Sequence, residues 1–306
     1  MGTEQAARPK TRRRRKVLVA GAATLGAIVL YGMIVPPRRP QVTRHNVALA
    51  GLSPQLSGLR VVQLSDVHLG FFSGPSFVRR AVALANAENP DLVGITGDFV
   101  NYRSVGYLPA GVRELQALRP RLGVFACLGN HEHWEGVEKV VGPLRAGGIQ
   151  VLVNESRQVA DNLWVAGLDD IMSGKPDLPR TVSAIPPGAA VILLSHNPTV
   201  LPQVADHPWL VLAGHTHGGQ LALPFIGPRG TMKTPGIRQF ARFWESVHVR
   251  ARGGNPRAVC TYRYPEGWFQ EGRARMYVNR GVGMSDSEPL RLNCPPEVAV
   301  FTLTSG

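Results

Sequence analysis

Six short apolar runs recur along this chain, and residues typical of turns or of metal sites follow most of them. Short runs rich in Val, Ile and Leu are typical of strands that are buried on both faces of a sheet. Helical patterns separate several of the runs, so the sequence predicts an α/β fold. The predicted strands are Leu59–Ser65, Leu92–Thr96, Val124–Leu128, Leu163–Leu168, Ala190–Ser195 and Leu210–Ala213. The predicted connecting helices are Phe77–Asn89, Val112–Leu118, Val137–Ala146 and Thr199–Ala205.

Side chains that bind metals follow five of these predicted strands. In chain order they are Asp66 and His68, Asp98, Asn130, His196, and His215 with His217. The carboxyl ends of parallel strands meet at one edge of an open sheet, where binding sites in such folds lie. Glycines beside several of these side chains allow tight turns that bring the backbone close to a ligand. We therefore expect the seven side chains to form one site.

The donor types indicate two divalent metal ions. Carboxylate, amide and imidazole groups suit Mn²⁺, Fe or Zn²⁺ better than Ca²⁺ or thiophilic metals. Asp66 and His68 are two residues apart, so on an extended segment both can face one ion. His215 and His217 repeat this spacing and can be divided between two ions, which Asp98 can bridge at about 3.5–4 Å. Such a pair of ions activates hydroxide for attack on phosphorus, so the set predicts phosphoester hydrolysis.

Two more candidate catalytic residues follow Asn130 directly. We expect His131 to donate to a phosphoryl or leaving oxygen and Glu132 to orient it. Each short motif is weak by itself, because a single Asp-x-His or His-x-His is more often a surface pair or a satisfied core pair. Five such motifs, each at a strand end and in a consistent order, favour a catalytic centre.

The whole series resembles the calcineurin-like metallophosphoesterase family from about Arg60 to the C-terminus. The motifs that carry the resemblance are Asp66-x-His68, Gly97-Asp98, Gly129-Asn130-His131-Glu132, His196 and Gly214-His215-x-His217. The resemblance implies a four-layer α/β/β/α sandwich of two mixed sheets and two divalent metal ions, with Mn²⁺ preferred and Fe or Zn²⁺ as alternatives. It assigns Asp66, His68 and His217 to the first ion, Asn130, His196 and His215 to the second, Asp98 to both, and His131 to the transition state.

Further features resemble one bacterial branch of that family, the membrane-associated phosphodiesterases similar to UDP-2,3-diacylglucosamine pyrophosphatases of lipid A synthesis. These features are the basic N-terminal apolar segment, Gly218-Gly219-Gln220, and Arg280-Gly281-Val282-Gly283. The branch implies a membrane-associated or lipid-linked phosphodiester or pyrophosphate substrate, and we expect Arg229 and Arg280 to contact it. Two alternatives stay open: a phosphomonoesterase or nucleotidase, and a non-catalytic binding module with a metal scaffold.

The N-terminus predicts a single membrane helix. A basic stretch at residues 1–16 precedes an uncharged, mostly apolar run at 17–35, which as a helix would span about 28 Å, close to a bilayer core of about 30 Å. The positive charge before the run predicts a cytoplasmic N-terminus and a translocated catalytic domain. Arg14-Arg15-Lys16-Val17-Leu18 also resembles a twin-arginine export signal, but no small-x-small cleavage site precedes Pro36, which favours an uncleaved anchor in the cytoplasmic membrane.

The remaining chain divides into a linker at 36–44 and a metallophosphoesterase domain at 45–306, interrupted by an excursion at 223–276. The net charge of +13 says little about the substrate, because residues 1–44 hold ten Lys/Arg against one Glu. The excursion holds ten Lys/Arg, three acids and eight aromatic residues. It is either an irregular surface segment or a basic, aromatic lobe that contacts anionic lipid or an acylated substrate. We expect no nucleic-acid partner, since a translocated domain seldom meets one.

The three cysteines form no metal-binding or disulfide framework. Cys127 lies in an apolar run and is expected to be a small core residue. A disulfide between Cys260 and Cys294 is left open, because the sequence alone cannot support it.

Overall fold

Two six-stranded sheets stacked face to face form the centre of the molecule. The computed structural model describes residues 10–253, 255, 263–285 and 288–306. Cys260 lies outside the described residues, whereas Cys294 is a buried free thiol whose Sγ donates to the His217 carbonyl at 3.2 Å, so the disulfide left open by the sequence is not formed. The strands are β1 (Gln41–Leu49), β2 (Arg60–Leu64), β3 (Leu92–Thr96), β4 (Val124–Cys127), β5 (Gln150–Val151), β6 (Glu155–Ala160), β7 (Leu163–Gly167), β8 (Ala190–Leu194), β9 (Leu210–Ala213), β10 (Gly267–Glu271), β11 (Ala274–Val278) and β12 (Glu297–Ser305).

Both sheets are mixed, as the family resemblance implies. The first has the order β1-β12-β2-β3-β4-β5, in which only β12 and β2 run antiparallel to each other. The second has the order β10-β11-β9-β8-β7-β6, with antiparallel pairs at its two edges. The central strands of both sheets are parallel, so their carboxyl ends open on one side of the molecule.

Some of the α-helices cover the outer faces of the two sheets. The α-helices of the described residues are α1 (Lys10–Ile34), α2 (Pro75–Ala87), α3 (Leu108–Leu115), α4 (Asn130–Glu135), α5 (Val137–Ala146), α6 (Leu178–Val182), α7 (Gly227–Lys233) and α8 (Pro235–Ala251). Helices α2, α3 and α5 share one apolar core with the first sheet. Helix α6 and a 3₁₀ helix at Pro198–Val204 pack on the second sheet. A third core lies between the sheets, which confirms the four-layer α/β/β/α sandwich.

The predicted elements agree closely with the observed ones. All six predicted strands are present, with ends that differ by at most one residue, and helix α5 has the predicted bounds. Helix α3 begins earlier than predicted, because Leu108 belongs to its buried face together with Val112 and Leu115. The predicted helix at Thr199–Ala205 is instead the 3₁₀ helix, in which Pro202 lacks the N–H that an α-helix would need.

Two predicted boundaries move because strands pair with partners distant in sequence. Strand β1 begins at Gln41 and pairs with β12 from Glu297 onward, so residues 41–44 belong to the first sheet rather than to the expected linker. Strand β10 and the first part of β11 fall within the expected excursion but extend the second sheet beyond β9. The excursion is therefore shorter than expected and ends before Gly267.

Helix α1 is long and apolar enough to cross a membrane. Among residues 14–34, all of which the structure describes, Gly32 alone is buried. The backbone N–H of Arg291 donates to the Gly32 carbonyl at 3.1 Å. A Cβ at Gly32 would collide with the side chains of Leu290 and Leu292. The last turns of α1 therefore contact the sandwich at residues 290–292, and a glycine is needed for that close approach.

Candidate metal centre

The predicted ligands lie in tight turns at the carboxyl ends of the strands. Five of the seven have left-handed backbone conformations, with φ of 51° at Asp66, 47° at His68, 53° at Asp98, 73° at His215 and 52° at His217. Such values are uncommon for residues other than glycine and cluster at functional sites. Hydrogen bonds join the first two turns, since His68 N donates to Asp98 O at 2.9 Å. The local backbone is thus strained where the ligand side chains converge.

Three of the predicted ligands form the first cluster. His217 Nε2 lies 3.2 Å from Asp66 Oδ1, and His68 Nε2 lies 2.9 Å from His217 Nε2. All three side chains are buried. Two imidazole nitrogens this close share at most one proton, so at least one lone pair points into the cluster. One cation in contact with these atoms would satisfy all three donors.

A second cluster lies beside the first and shares Asp98 with it. Asp98 Oδ2 is 3.4 Å from His68 Nε2 and 3.2 Å from His196 Nε2. His215 Nδ1 is 3.2 Å from His196 Nε2. The amide oxygen of Asn130 is buried and has no hydrogen-bond partner among the described residues. Buried acceptors normally have a partner, and a divalent cation bound to the Asn130 oxygen would be one.

The donor set therefore fits two divalent ions. Each cluster combines imidazole nitrogens with carboxylate or amide oxygen, and one carboxylate oxygen touches both clusters. All seven predicted ligands are brought together, which is the arrangement a binuclear centre requires.

Charge within the site follows from burial and from the neighbouring rings. Burial alone would raise the pKa of Asp98, but His196 and His131 hold it well below its ordinary range. At Asp66, burial likewise raises the pKa and the neighbouring His217 ring lowers it, and the net effect is a lowered pKa. Burial lowers the pKa of His131 to about 4. The carboxylates are therefore ionised at neutral pH, and His131 is uncharged.

The carboxylate of Glu132 is bonded to the backbone of the ligand turns. Its carboxylate accepts hydrogen bonds from the backbone N–H groups of Asp98, Phe99 and Gly129, each at 2.8 Å. Both Glu132 and His131 are described, and no hydrogen bond joins them. The expectation that Glu132 orients His131 stays a prediction: as the third residue of α4, Glu132 is directed back at the turns, as in a capping box. Burial raises its pKa to about 7.

His131 faces an open space next to both clusters. Its backbone N–H donates to Asp98 Oδ1 at 3.0 Å, and its ring lies between His68 and Trp134, with centroid distances of 4.7 and 4.6 Å. Nδ1 is buried and has no partner among the described residues, while Nε2 is 4.0 Å from Asp98 Oδ2. The ring is thus held by packing beside both clusters, and it lines the cavity.

A cavity of about 480 Å³ adjoins the two clusters. Predicted ligands and His131 form part of its lining. The large apolar side chains of the lining, which we call the cavity wall, include Trp134, Met172, Met232, Ile237, Phe240, Trp244 and Val249. Four of these wall residues belong to α8, the helix at the centre of the excursion. Helix α8, one part of the excursion, therefore lines the cavity together with the metal-type side chains.

The two arginines expected to contact substrate lie elsewhere. Arg280 Nη2 lies 3.5 Å from the buried carboxylate of Glu297, and Nη1 lies 3.5 Å from Glu266. The Arg229 guanidinium donates to the Trp268 carbonyl. Neither is among the described residues that line the cavity. The physical reason is that other acceptors attract these long cationic side chains: the buried carboxylate of Glu297 on β12 for Arg280, and a β10 carbonyl for Arg229.

Arg252 is the basic residue that lines the cavity. Its guanidinium carbon lies 4.7 Å from the ring centroid of Trp134 and 5.4 Å from that of Tyr102. The sequence places Arg252 among the basic residues of the excursion but does not distinguish it from the others. Stacking on two rings holds the cation at the cavity wall.

Two further groups near the site have no recognised motif. Arg291 is fully buried, donates to the carbonyls of Gly283 at 2.6 Å and Arg280 at 2.8 Å, and lies 3.3 Å from His217 Nδ1. No local sequence pattern predicts that Arg291 lies beside the site. Asp170 follows β7, and its carboxylate accepts from the N–H groups of the loop that carries Met172. The strand-end rule would have found Asp170, since β7 is the predicted strand to which no motif was assigned.

Comparison with known proteins agrees with this geometry. Residues 59–219 match the family model described as calcineurin-like phosphoesterase. An uncharacterized metallophosphoesterase of Bacillus subtilis, YkuE, is 32% identical over 94% of both chains. The phosphodiesterase YaeI of Escherichia coli is 31% identical over 95% of this chain and 98% of its own. The UDP-2,3-diacylglucosamine pyrophosphatase LpxG of Chlamydia trachomatis is 27% identical over 87% and 89%.

Proposed function

Because this chain belongs to the calcineurin-like phosphoesterase family and is a metal-dependent phosphoester hydrolase, we propose that it cleaves a lipid-linked phosphodiester or pyrophosphate at a membrane. The observation that carries the proposal is the cavity, whose lining combines metal-type donors with many large apolar side chains. An amphiphilic substrate would place its phosphate against the donors and its apolar part along the cavity wall. A small, fully polar phosphomonoester would leave the wall without a partner.

We assign the first ion to Asp66, His68 and His217, the second to Asn130, His196 and His215, and both to Asp98. Mn²⁺ is preferred, with Fe or Zn²⁺ as alternatives, because oxygen donors accompany the imidazoles in both clusters. When bound, the two ions supply Lewis-acid activation of water and neutralise phosphate charge. The left-handed turns and the Glu132 hydrogen bonds hold the ligand side chains in place beforehand.

His131 and Arg252 act from the protein side of the cavity. His131 is uncharged at neutral pH, so one ring nitrogen carries a proton that it donates as a hydrogen bond to a phosphoryl or leaving oxygen. Arg252 contacts a second anionic group of the substrate, such as the neighbouring phosphate of a pyrophosphate. These two residues replace Arg229 and Arg280 as the proposed substrate contacts.

The names of two relatives support this choice of substrate class. The Escherichia coli relative is called a phosphodiesterase, and the Chlamydia trachomatis relative is called a UDP-2,3-diacylglucosamine pyrophosphatase. For this chain we propose a substrate of the same class, an acylated group joined through phosphate to a second group. A role in lipid A synthesis is the corresponding candidate pathway if the site faces the cytoplasm, whereas an external site favours a wall, phospholipid or nutrient phosphodiester.

We propose that α1 is an uncleaved anchor in the cytoplasmic membrane and that the sandwich is translocated, by the twin-arginine route if it is folded beforehand. The contact between Gly32 and residues 290–292 supports retention of α1, because cleavage before Pro36 would remove it. A reporter fused after Gly306 tests the orientation. We expect a fused alkaline phosphatase to be active, which would show that the domain is translocated. Fluorescence from a fusion that is fluorescent only in the cytoplasm would instead show the opposite orientation of an uncleaved anchor.

Hydrolysis of two chromogenic esters tests the reaction. The full chain, purified in detergent and loaded with Mn²⁺, should hydrolyse bis(p-nitrophenyl) phosphate, and a chelator should abolish turnover. Under the same conditions p-nitrophenyl phosphate should be a poorer substrate, since the cavity is built for a phosphate substituted on both sides. A preference for the monoester would establish the phosphomonoesterase or nucleotidase alternative instead.

A further inference from the structure

We propose that the outer side of the segment at residues 223–250 lies on the anionic surface of the membrane that α1 crosses, so that the cavity opens towards lipid. This surface comprises the exposed side chains of α7, α8 and the turn before them, and we call it the lobe surface. The inference rests on the proposed function in one respect, the insertion of α1 into the membrane. Beyond that function, it identifies which surface of the catalytic domain contacts the bilayer.

The lobe surface exposes large apolar side chains that a soluble domain would bury. Phe225 is fully exposed, Phe243 is 63% exposed and Val247 is 45% exposed. On α8, residues 240, 243 and 247 are three and four positions apart, so they share one side of the helix. Contiguous exposed apolar side chains of this kind mark a contact surface.

The same segment is rich in basic residues. Residues 223–250 include five Lys/Arg and one acid, Glu245. The basic residues are Arg229, Lys233, Arg238, Arg242 and Arg250. A helix that combines exposed aromatic side chains with a strong excess of arginine is typical of a segment lying in the interface of an anionic membrane. The charge thus favours a lipid surface over an uncharged apolar partner.

The position of α1 identifies the bilayer as the occupant. Trp244 Nε1 of α8 donates to Glu288 Oε1 at 3.0 Å, and the backbone N–H of Arg291 donates to the carbonyl of Gly32 at 3.1 Å. The lobe and the end of the anchor therefore contact one stretch, residues 288–292. Four residue steps span at most about 14 Å even when fully extended. The lobe is thus held beside the point where the chain leaves the membrane.

The same stretch also reaches the cavity. Gln220 Nε2 donates to Glu288 Oε2 at 3.1 Å, and both residues line the cavity. Helix α8 supplies Phe240 and Trp244 to the cavity wall, although both remain partly exposed. With the lobe surface on the bilayer, an acylated substrate would enter along α8 without leaving the lipid.

Fluorescence quenching by brominated lipid tests the placement directly. The full-length Phe243→Trp variant is reconstituted in vesicles of equal parts phosphatidylcholine and phosphatidylglycerol, with bromine on the acyl chains. The matched control is Gln158→Trp, which is exposed on β6, at the opposite edge of the second sheet from β10. The emission added by Phe243→Trp should be quenched several-fold more strongly than that added by Gln158→Trp. Equal quenching would overturn the inference.

Two further readouts distinguish the alternatives. Replacing phosphatidylglycerol by phosphatidylcholine should weaken the quenching, because the arginines lose their anionic partners. Emission shielded from aqueous iodide but insensitive to brominated lipid would indicate a protein partner and would also overturn the inference. Hydrolysis of bis(p-nitrophenyl) phosphate in the same vesicles reports on the proposed function alone. If the diester is hydrolysed but the emission of Phe243→Trp is not quenched, the membrane contact is refuted. If the emission is quenched but the diester is not hydrolysed, only the proposed phosphodiesterase activity is refuted.

Discussion

The ligand turns and the 223–250 segment both line one cavity and are stabilised in different ways. The turns are buried, have left-handed backbones and are joined by short hydrogen bonds, several of them to Glu132. The segment is helical and leaves aromatic side chains in solvent. The difference indicates a division of labour. Rigid turns on a shared sandwich perform the chemistry, and a peripheral segment selects what reaches it.

Replacing Asp98 at the turns should have the largest effect. Asp98→Asn keeps the shape but removes the charge that faces both clusters, so activity should fall by more than about 100-fold, the upper range for residues that only support ligands. Metal analysis and turnover of bis(p-nitrophenyl) phosphate check this. Asp161→Asn, in the exposed turn before β7, is the matched control. Full activity with unchanged metal content in Asp98→Asn would refute its bridging role.

Replacing His131 should separate catalysis from metal binding. His131→Asn should lower kcat by about 10²- to 10⁴-fold, the usual contribution of a general acid or base. Metal content should stay at the wild-type level, because in our assignment His131 is not a ligand. Loss of metal from this variant would instead place His131 in the ligand set.

Disturbing the contact between the anchor and the sandwich should have an intermediate effect. Gly32→Val should displace Leu290 and Leu292, and with them the Arg291 guanidinium beside His217, lowering kcat by about tenfold. Gly26→Val is the control, since its new side chain would meet nothing within 4 Å. Both variants are compared in the same detergent with a soluble diester. Equal kcat values would show that the anchor only tethers the domain.

The smallest effect should come from the cavity wall. Arg252→Gln should raise KM for a pyrophosphate substrate roughly fivefold, equivalent to about 1 kcal/mol for a partly exposed cation, while kcat changes little. Arg229→Gln removes a cation that points away from the cavity and should leave KM unchanged. If Arg229→Gln raises KM more than Arg252→Gln does, the expectation from the sequence that Arg229 contacts the substrate would be correct.

How well the sequence predicts each region depends on how local its determinants are. The buried strands have clear apolar patterns, and the ligands follow them directly, so residues such as Asp66 and His196 are found from the chain alone. Strand β1 is not, because its partner β12 lies about 250 residues away and β1 itself is only half buried. Pairing over such a distance leaves no local signal.

Long side chains are the other source of error. Arg280 and Arg252 look alike in the sequence, yet one pairs with buried Glu297 and the other stacks at the cavity wall. Arg291 crosses from the end of the anchor to His217, a path that no spacing rule describes. The direction of a guanidinium is decided by acceptors that only the folded chain brings near it.

Anomalous diffraction from crystals grown with Mn²⁺ tests the central claim most directly. We predict two peaks per chain, one in contact with Asp66, His68 and His217 and one in contact with Asn130, His196 and His215, with a carboxylate oxygen of Asp98 touching both. A single peak, or two peaks of which neither contacts Asp98, would contradict the binuclear centre proposed for these turns.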